Sequence, residues 1–150
     1  MPYPIQIDPI ILALGSAWKA ADALALDLRH KWSCVTNDRS AYEAWKIADD
    51  VRNAAFKAMT YALPDPGRPV FISPTDWLAD KDNWRTEYAP VRVWNGADHY
   101  KDWYPCLGHY EFNVRTGERF YRGAEMFDRC VEEAARRNAE YAAYYAKQAA

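Results

Sequence analysis

The sequence predicts an α+β fold: a long antiparallel helix pair and a C-terminal helix, with a small antiparallel sheet and a short helix inserted between them. Three observations carry this. Two N-terminal stretches repeat apolar residues at alternating steps of three and four, the period of one helix face. Between residues 85 and 122 the period falls towards two. Beyond Gly123 the helical period returns.

The first helix is expected from Asp8, a capping residue followed by Pro9 at the first position, where a missing N–H costs nothing. Its apolar line is Ile11, Leu14, Trp18, Ala21, Ala25, Leu28 and Trp32, and it should end between Trp32 and Cys34. Residues 1–7, with Pro2 and Pro4, read as an extended lead-in. The second helix spans residues 37–63, capped by Asn37, Asp38 or Ser40. A seam of small residues (Ala41, Ala44, Ala48, Val51, Ala55, Ala58, Ala62) runs along it beside a bulky flank of Tyr42, Trp45, Phe56, Met59 and Leu63. Such a seam lets a neighbouring helix approach closely, which predicts that the seam faces the first helix.

The run 63–69 contains Pro64, Pro66, Gly67 and Pro69 and makes a stiff connector. Val70, Phe71 and Ile72 form a strand candidate. Ser73, Pro74 and Asp76 mark a helix start, with Trp77 and Leu78 expected inward and an end near Asn83. Val91 and Val93 alternate with Arg92 and Trp94 ahead of a turn at Asn95 and Gly96. Tyr110, Phe112 and Val114 alternate with polar residues, Thr116 and Gly117 break the run, and Arg119 to Tyr121 resume it, which is the clearest hairpin signal. Gly123 is expected to close the sheet and residues 124–147 to form the last helix, with Phe127, Val131, Ala134, Ala135, Ala142 and Tyr145 on one face and Arg136 and Arg137 on the other.

One domain is expected for 150 residues, half of them hydrophobic. A net charge of −2, with acids and bases interleaved, excludes the basic face that duplex DNA requires. The apolar run 9–18 is about half of the roughly 20 residues needed to span a bilayer, and no Lys or Arg precedes Lys19, so neither a membrane span nor a secretory signal is expected. Three cysteines are too few for a disulfide framework and favour reduced thiols in the cytoplasm.

Four residues could ligate zinc: His30 and Cys34 at a helical four-residue step, and Cys106 and His109 in what reads as an aromatic-rich loop. Cys106 with His99 or His109, oriented by Asp98 or Glu111, could also be a thiolate and its base. Cysteine is among the most buried residue types, and no signature surrounds these, so buried thiols and locally bonded histidines are the stronger reading. The acidic pairs Asp49–Asp50 and Glu132–Glu133 read as solvated helix faces, and no glycine-rich phosphate loop occurs. No cofactor is expected.

Seven Trp and eleven Tyr are many for this length, and Trp94, Tyr100, Trp103, Tyr104, Tyr110, Phe112, Phe120 and Tyr121 crowd into residues 94–122 with arginines between them. Arg92, Trp94, Tyr100, Trp103, Arg115, Arg119, Tyr121 and Arg122 are the candidate contact residues, because rings beside guanidinium groups compose interface hot spots. The expected function is therefore a non-enzymatic intracellular binding protein with a protein partner, of the accessory or inhibitor kind found in phage and mobile elements. The alternatives are a single-stranded nucleic-acid binder, where the same rings would stack on bases, and a small Cys/His metal- or thiol-dependent enzyme.

Overall fold

The computed structural model of the chain describes residues 5–34, 38–96 and 101–149. They form α1 (Pro9–Ser33), α2 (Arg39–Ala62), α3 (Pro74–Ala79), a 3-10 turn (Lys81–Asn83), β1 (Trp84–Asn95), β2 (Asp102–Asn113), β3 (Arg119–Met126) and α4 (Cys130–Ala149). This is the α+β arrangement that the sequence predicts. The chain divides into two compact units, residues 9–62 and residues 1–8 with 63–150.

The first unit is the hairpin of α1 and α2. Every residue of the predicted α1 line is buried or half-buried. Asp38 caps α2, its Oδ1 accepting from the Ala41 N–H at 3.1 Å; Asn37 lies outside the described residues. The α2 seam, however, faces α1 only in part, through Ala41, Ala48 and Ala55. Ala44, Ala58 and Ala62 are exposed and Val51 is 56% exposed, while Ala41, Trp45, Ala48, Arg52, Ala55, Phe56 and Met59 turn inward. The rings decide this rotation. Trp18 meets Phe56 at 5.5 Å, and Trp32 stacks on Trp45 at 5.0 Å. Rings of this size bury far more area than alanines, so the hairpin turns to cover them. One side of the hairpin is closed by ions: Arg52 lies 3.8 Å from Asp22 and 2.6 Å from Asp49. Asp49 thus belongs to an ion network and not to a solvated face. By length and composition α1 is long and apolar enough to cross a membrane, which the run 9–18 alone does not indicate.

The second unit is built on the antiparallel sheet β1-β2-β3. The connector ties to both edge strands: the Pro64 carbonyl accepts from the Arg92 N–H (2.9 Å) and the Val70 N–H donates to the Tyr121 carbonyl (2.7 Å). Residues 70–72 do not form a strand. Pro69 and Pro74 flank them and cannot donate to a ladder, and Phe71 is left 78% exposed. In α3 the Ser73 hydroxyl accepts from the Asp76 N–H as its cap (3.1 Å), but Trp77 and Leu78 point outward. This six-residue helix is followed instead by an inward Asp80, which holds Asn83, Asn113 (2.7 Å) and Arg115 (2.8 Å).

The tight turn between β2 and β3 is as predicted. Asn113 Oδ1 accepts from the N–H groups of Arg115 and Thr116, and Gly117 takes a positive φ of 77°. Gly123 does not end the sheet. His109 pairs with Gly123 and Tyr110 with Tyr121, so Arg122 is an extra residue, a bulge that Gly123 absorbs at φ 142°. β3 therefore runs to Met126 and α4 starts at Cys130, six residues later than expected. Residues 106–109 are not a loop but the middle of β2.

Alternation places Arg85, Glu87, Ala89, Val91, Cys106, Gly108, Tyr110 and Tyr121 on one sheet face. α4 covers this face, bringing Cys130 beside Cys106 and the Tyr145 ring to 5.9 Å from the Arg85 guanidinium. Cys130, Val131 and Ala134 are buried against it. Gly108 permits the close approach within the sheet, since a Cβ there would sit 3.2 Å from the Ala89 carbonyl and from Val91. Ala135 and Ala142 are exposed, whereas Arg137, expected to face outward, is half-buried with its guanidinium 4.6 Å over the Tyr88 ring. An aromatic partner and Glu133 satisfy the cation there better than a second alanine face would.

Candidate functional site

The aromatic and arginine residues of the 92–122 segment do not form one site. Arg92, Trp94 and Trp103 do come together. Trp94 pairs with Trp103 across β1 and β2, their rings 5.4 Å apart, and the Arg92 guanidinium lies 4.6 Å over Trp103. Trp94 is half exposed. Arg119 and Tyr121 belong to a separate cluster on the opposite face: Arg119 lies 4.3 Å over Tyr110, and Tyr110 packs on Tyr121, which is buried. Arg122 pairs with Glu111 at 3.5 Å and lies 5.8 Å over the Phe71 ring. Arg115 is the clamp on Asp80, whose carboxyl it holds well below the usual range together with Asn83 and Asn113. Two of the predicted contact residues, Arg115 and Tyr121, are thus built into the fold. Tyr100 lies outside the described residues, as do His99 and Asp98.

The Cys/His pairs behave as local structure. Cys34 Sγ is 3.9 Å from His30 Nε2 on the exposed end of α1. Cys106 and His109 are three residues apart in a strand, so their side chains leave opposite faces. His109 faces Tyr88 (4.9 Å) and Glu125 (3.3 Å, off hydrogen-bond alignment). Burial pushes the Cys106 thiol up, away from the thiolate a nucleophile needs. Cys130 is pushed up to about 12 by burial, with Cys106 adding to the rise. Among the described residues no three His, Cys, Asp or Glu side chains converge on one point.

The structure adds a groove of about 410 Å³ between β1 and α4, lined by Thr86, Glu87, Tyr88, Arg137, Tyr141 and Tyr144 among others. Glu87 is 4% exposed and its Oε1 has no hydrogen-bond partner. Burial raises its pKa to about 7, against a smaller opposing pull from Arg119. Its carboxyl therefore changes between a neutral donor and a buried anion near neutrality. On α4, across the groove, Tyr141 shares a 3.0 Å hydroxyl contact with Tyr145, and burial raises its phenol. Arg136 and Arg137 hold Glu133 down at about 2. The sequence did contain a signal for Glu87: at period two it falls in line with Ala89 and Val91, the apolar side of β1.

No protein-family model matches the chain, no curated protein is significantly similar to it in sequence, and no solved structure matches it significantly.

Proposed function

We propose that the protein acts by contact and not by catalysis, as an accessory or inhibitor protein of the phage or mobile-element kind, holding a protein partner in the cytoplasm. The observation that carries this reading is the assembly of Trp94, Trp103 and Arg92. A half-exposed indole, Trp94, packs edge-on against a second indole, Trp103, over which the Arg92 guanidinium lies, all mounted on two paired strands. Rigid rings with a neighbouring arginine lose little entropy on binding and dominate interface energetics. The net charge of −2 favours a protein over a nucleic-acid partner.

The test is partner capture from the source host by the tagged chain, followed by titration of the captured protein. Trp94→Ala should weaken that binding by about 2 kcal/mol or more, roughly thirty-fold, as truncation of a hot-spot ring does. Its melting temperature should stay close to that of the parent chain, since the indole is half exposed. Undiminished affinity in Trp94→Ala and Arg92→Ala would sink the proposal. Oligonucleotide binding that falls steeply with salt and disappears in Trp94→Ala would replace it with single-strand recognition, in which bases stack on the same rings.

A further inference from the structure

The groove between β1 and α4 has a buried carboxyl in its wall. Glu87 lines it, is 4% exposed, and its Oε1 has no hydrogen-bond partner among the described residues. An unpaired buried carboxylate is costly, and at a groove wall a donor from outside can satisfy it. The neighbouring cations are committed elsewhere. Arg137 donates to Glu133 at 2.8 Å and lies over the Tyr88 ring. Arg136 is bonded to Glu133 and to Glu140. Arg85 donates to the Asp82 and Trp84 carbonyls. Arg119 lies over Tyr110 and acts on Glu87 through its charge, not through a hydrogen bond.

More acceptors leave by the edge of the sheet. β1 is an edge strand, and its Arg92 N–H points away from β2 to the Pro64 carbonyl. At period two the Thr86 and Tyr88 carbonyls leave by that same edge, beside the groove that both residues line. Rings complete the lining: Tyr88, Tyr141 and Tyr144, the last more than half exposed.

We propose that this groove binds a small organic cation, a primary ammonium group carried on an apolar body. An ammonium has three N–H donors and no acceptor, which suits a carboxylate oxygen and edge carbonyls. Its charge is also attracted to the faces of aromatic rings, and its apolar body has the tyrosines to lie on. The terminal torsion of a glutamate is broad, so the carboxyl can turn an oxygen towards the groove while the rest of the side chain stays packed. About 410 Å³ is within the range of small-molecule sites. An anion fits less well, because the guanidinium groups that would hold it are already paired with Glu133 and Glu140.

Calorimetric titration of the full chain with 2-phenylethylamine and with hexylamine tests this. At pH 8 Glu87, with a pKa of about 7, is ionised, and the amines, which titrate at about the pH of lysine, stay protonated. At least one amine should bind one to one with a dissociation constant of about 1 mM or tighter, within reach of a ligand of about seven to nine heavy atoms. 2-Phenylethanol, of similar shape but uncharged, should bind roughly tenfold more weakly than 2-phenylethylamine. Glu87→Gln should weaken amine binding by about the same factor. Tyr144→Ala, at an exposed lining position, should weaken it roughly threefold and serves where Glu87→Gln does not fold. Trp94→Ala should leave it unchanged, so this site and the partner-binding surface stand or fall separately. No saturable binding of either amine overturns the proposal. So does alcohol binding as tight as that of its amine, or undiminished amine binding in either groove variant.

Discussion

The helical hairpin and the sheet unit bury their apolar residues in different ways. The hairpin closes over one line of rings and alanines, Trp18, Ala25, Ala48 and Met59 being its buried apolar positions, and leaves Leu24, Ile47 and Val51 in solvent. The sheet unit closes over Val91, Leu107, Cys106, Cys130 and Ala134, and it holds Glu87 inside as well. The difference follows from layers. Two helices alone have one shared seam, so an apolar residue off that seam stays exposed. A strand carries side chains on both faces, so a residue in the middle strand of a sheet is enclosed by neighbours on either side. The deeper core can enclose a costly carboxyl, whereas the shallow one leaves apolar side chains exposed.

The largest effect expected from this contrast is at Leu107. It is fully buried in the central strand, and Leu107→Ala should destabilise the protein by about 2–5 kcal/mol, from lost transfer energy and an uncollapsed cavity. Urea denaturation followed by tryptophan fluorescence measures it. A cost below 1 kcal/mol on that order-of-magnitude scale would mean that the sheet core is as loosely filled as the hairpin seam.

Glu87 gives the next effect, through pH. Its folded pKa is about 7 against an ordinary 4.5, so the folded state holds the proton more tightly than the unfolded chain. This group therefore favours folding fully below pH 4.5, and that contribution is lost as pH rises towards 7. The loss is up to about 3 kcal/mol. Glu87→Gln should flatten that slope. Glu133 works in the opposite sense and in another window: its stabilising ion pairs with Arg136 and Arg137 weaken as pH falls from 4.5 towards 2. Stability curves for the parent chain and Glu87→Gln that run parallel from pH 4.5 to 7 would show that the buried carboxyl is not the source.

Smallest is the overpacking of the hairpin. Ala48→Leu should cost about 1–3 kcal/mol, because Ala48 sits on the seam against α1 and the added volume has nowhere to go. Ala55→Leu, at a half-buried position, should cost less. Thermal melts of the two variants sharpen the comparison. An unchanged melting temperature in Ala48→Leu would mean that the helices part easily and that the hairpin has no close-packed seam.

Much of the fold was legible in the sequence where local chemistry is decisive. The α1 line from Ile11 to Trp32, the Ser73 cap, the turn at Thr116 and Gly117 and the α+β order all follow from spacing and from single residues with one strong preference. The candidate site was legible only in part. The sequence pointed to Arg92, Trp94 and Trp103, which the strand pairing does bring together, but it grouped with them Arg115 and Tyr121, which the tertiary structure uses for the Asp80 clamp and the buried Tyr110 contact.

What only the tertiary structure decided has one physical reason. Periodicity states which residues share a face, but it does not state which of two apolar faces another element will cover. On α2 both the alanine seam and the ring flank were available, and the fit of Trp18 and Trp32 to Phe56 and Trp45 turned the helix so that Ala41, Ala48 and Ala55 of the seam face inward beside the rings while Ala44, Val51 and Ala58 do not. On β1 the same choice enclosed Glu87, and its consequence, a carboxyl with no hydrogen bond to Oε1 and a pKa near neutrality, exists only once α4 has packed over that face.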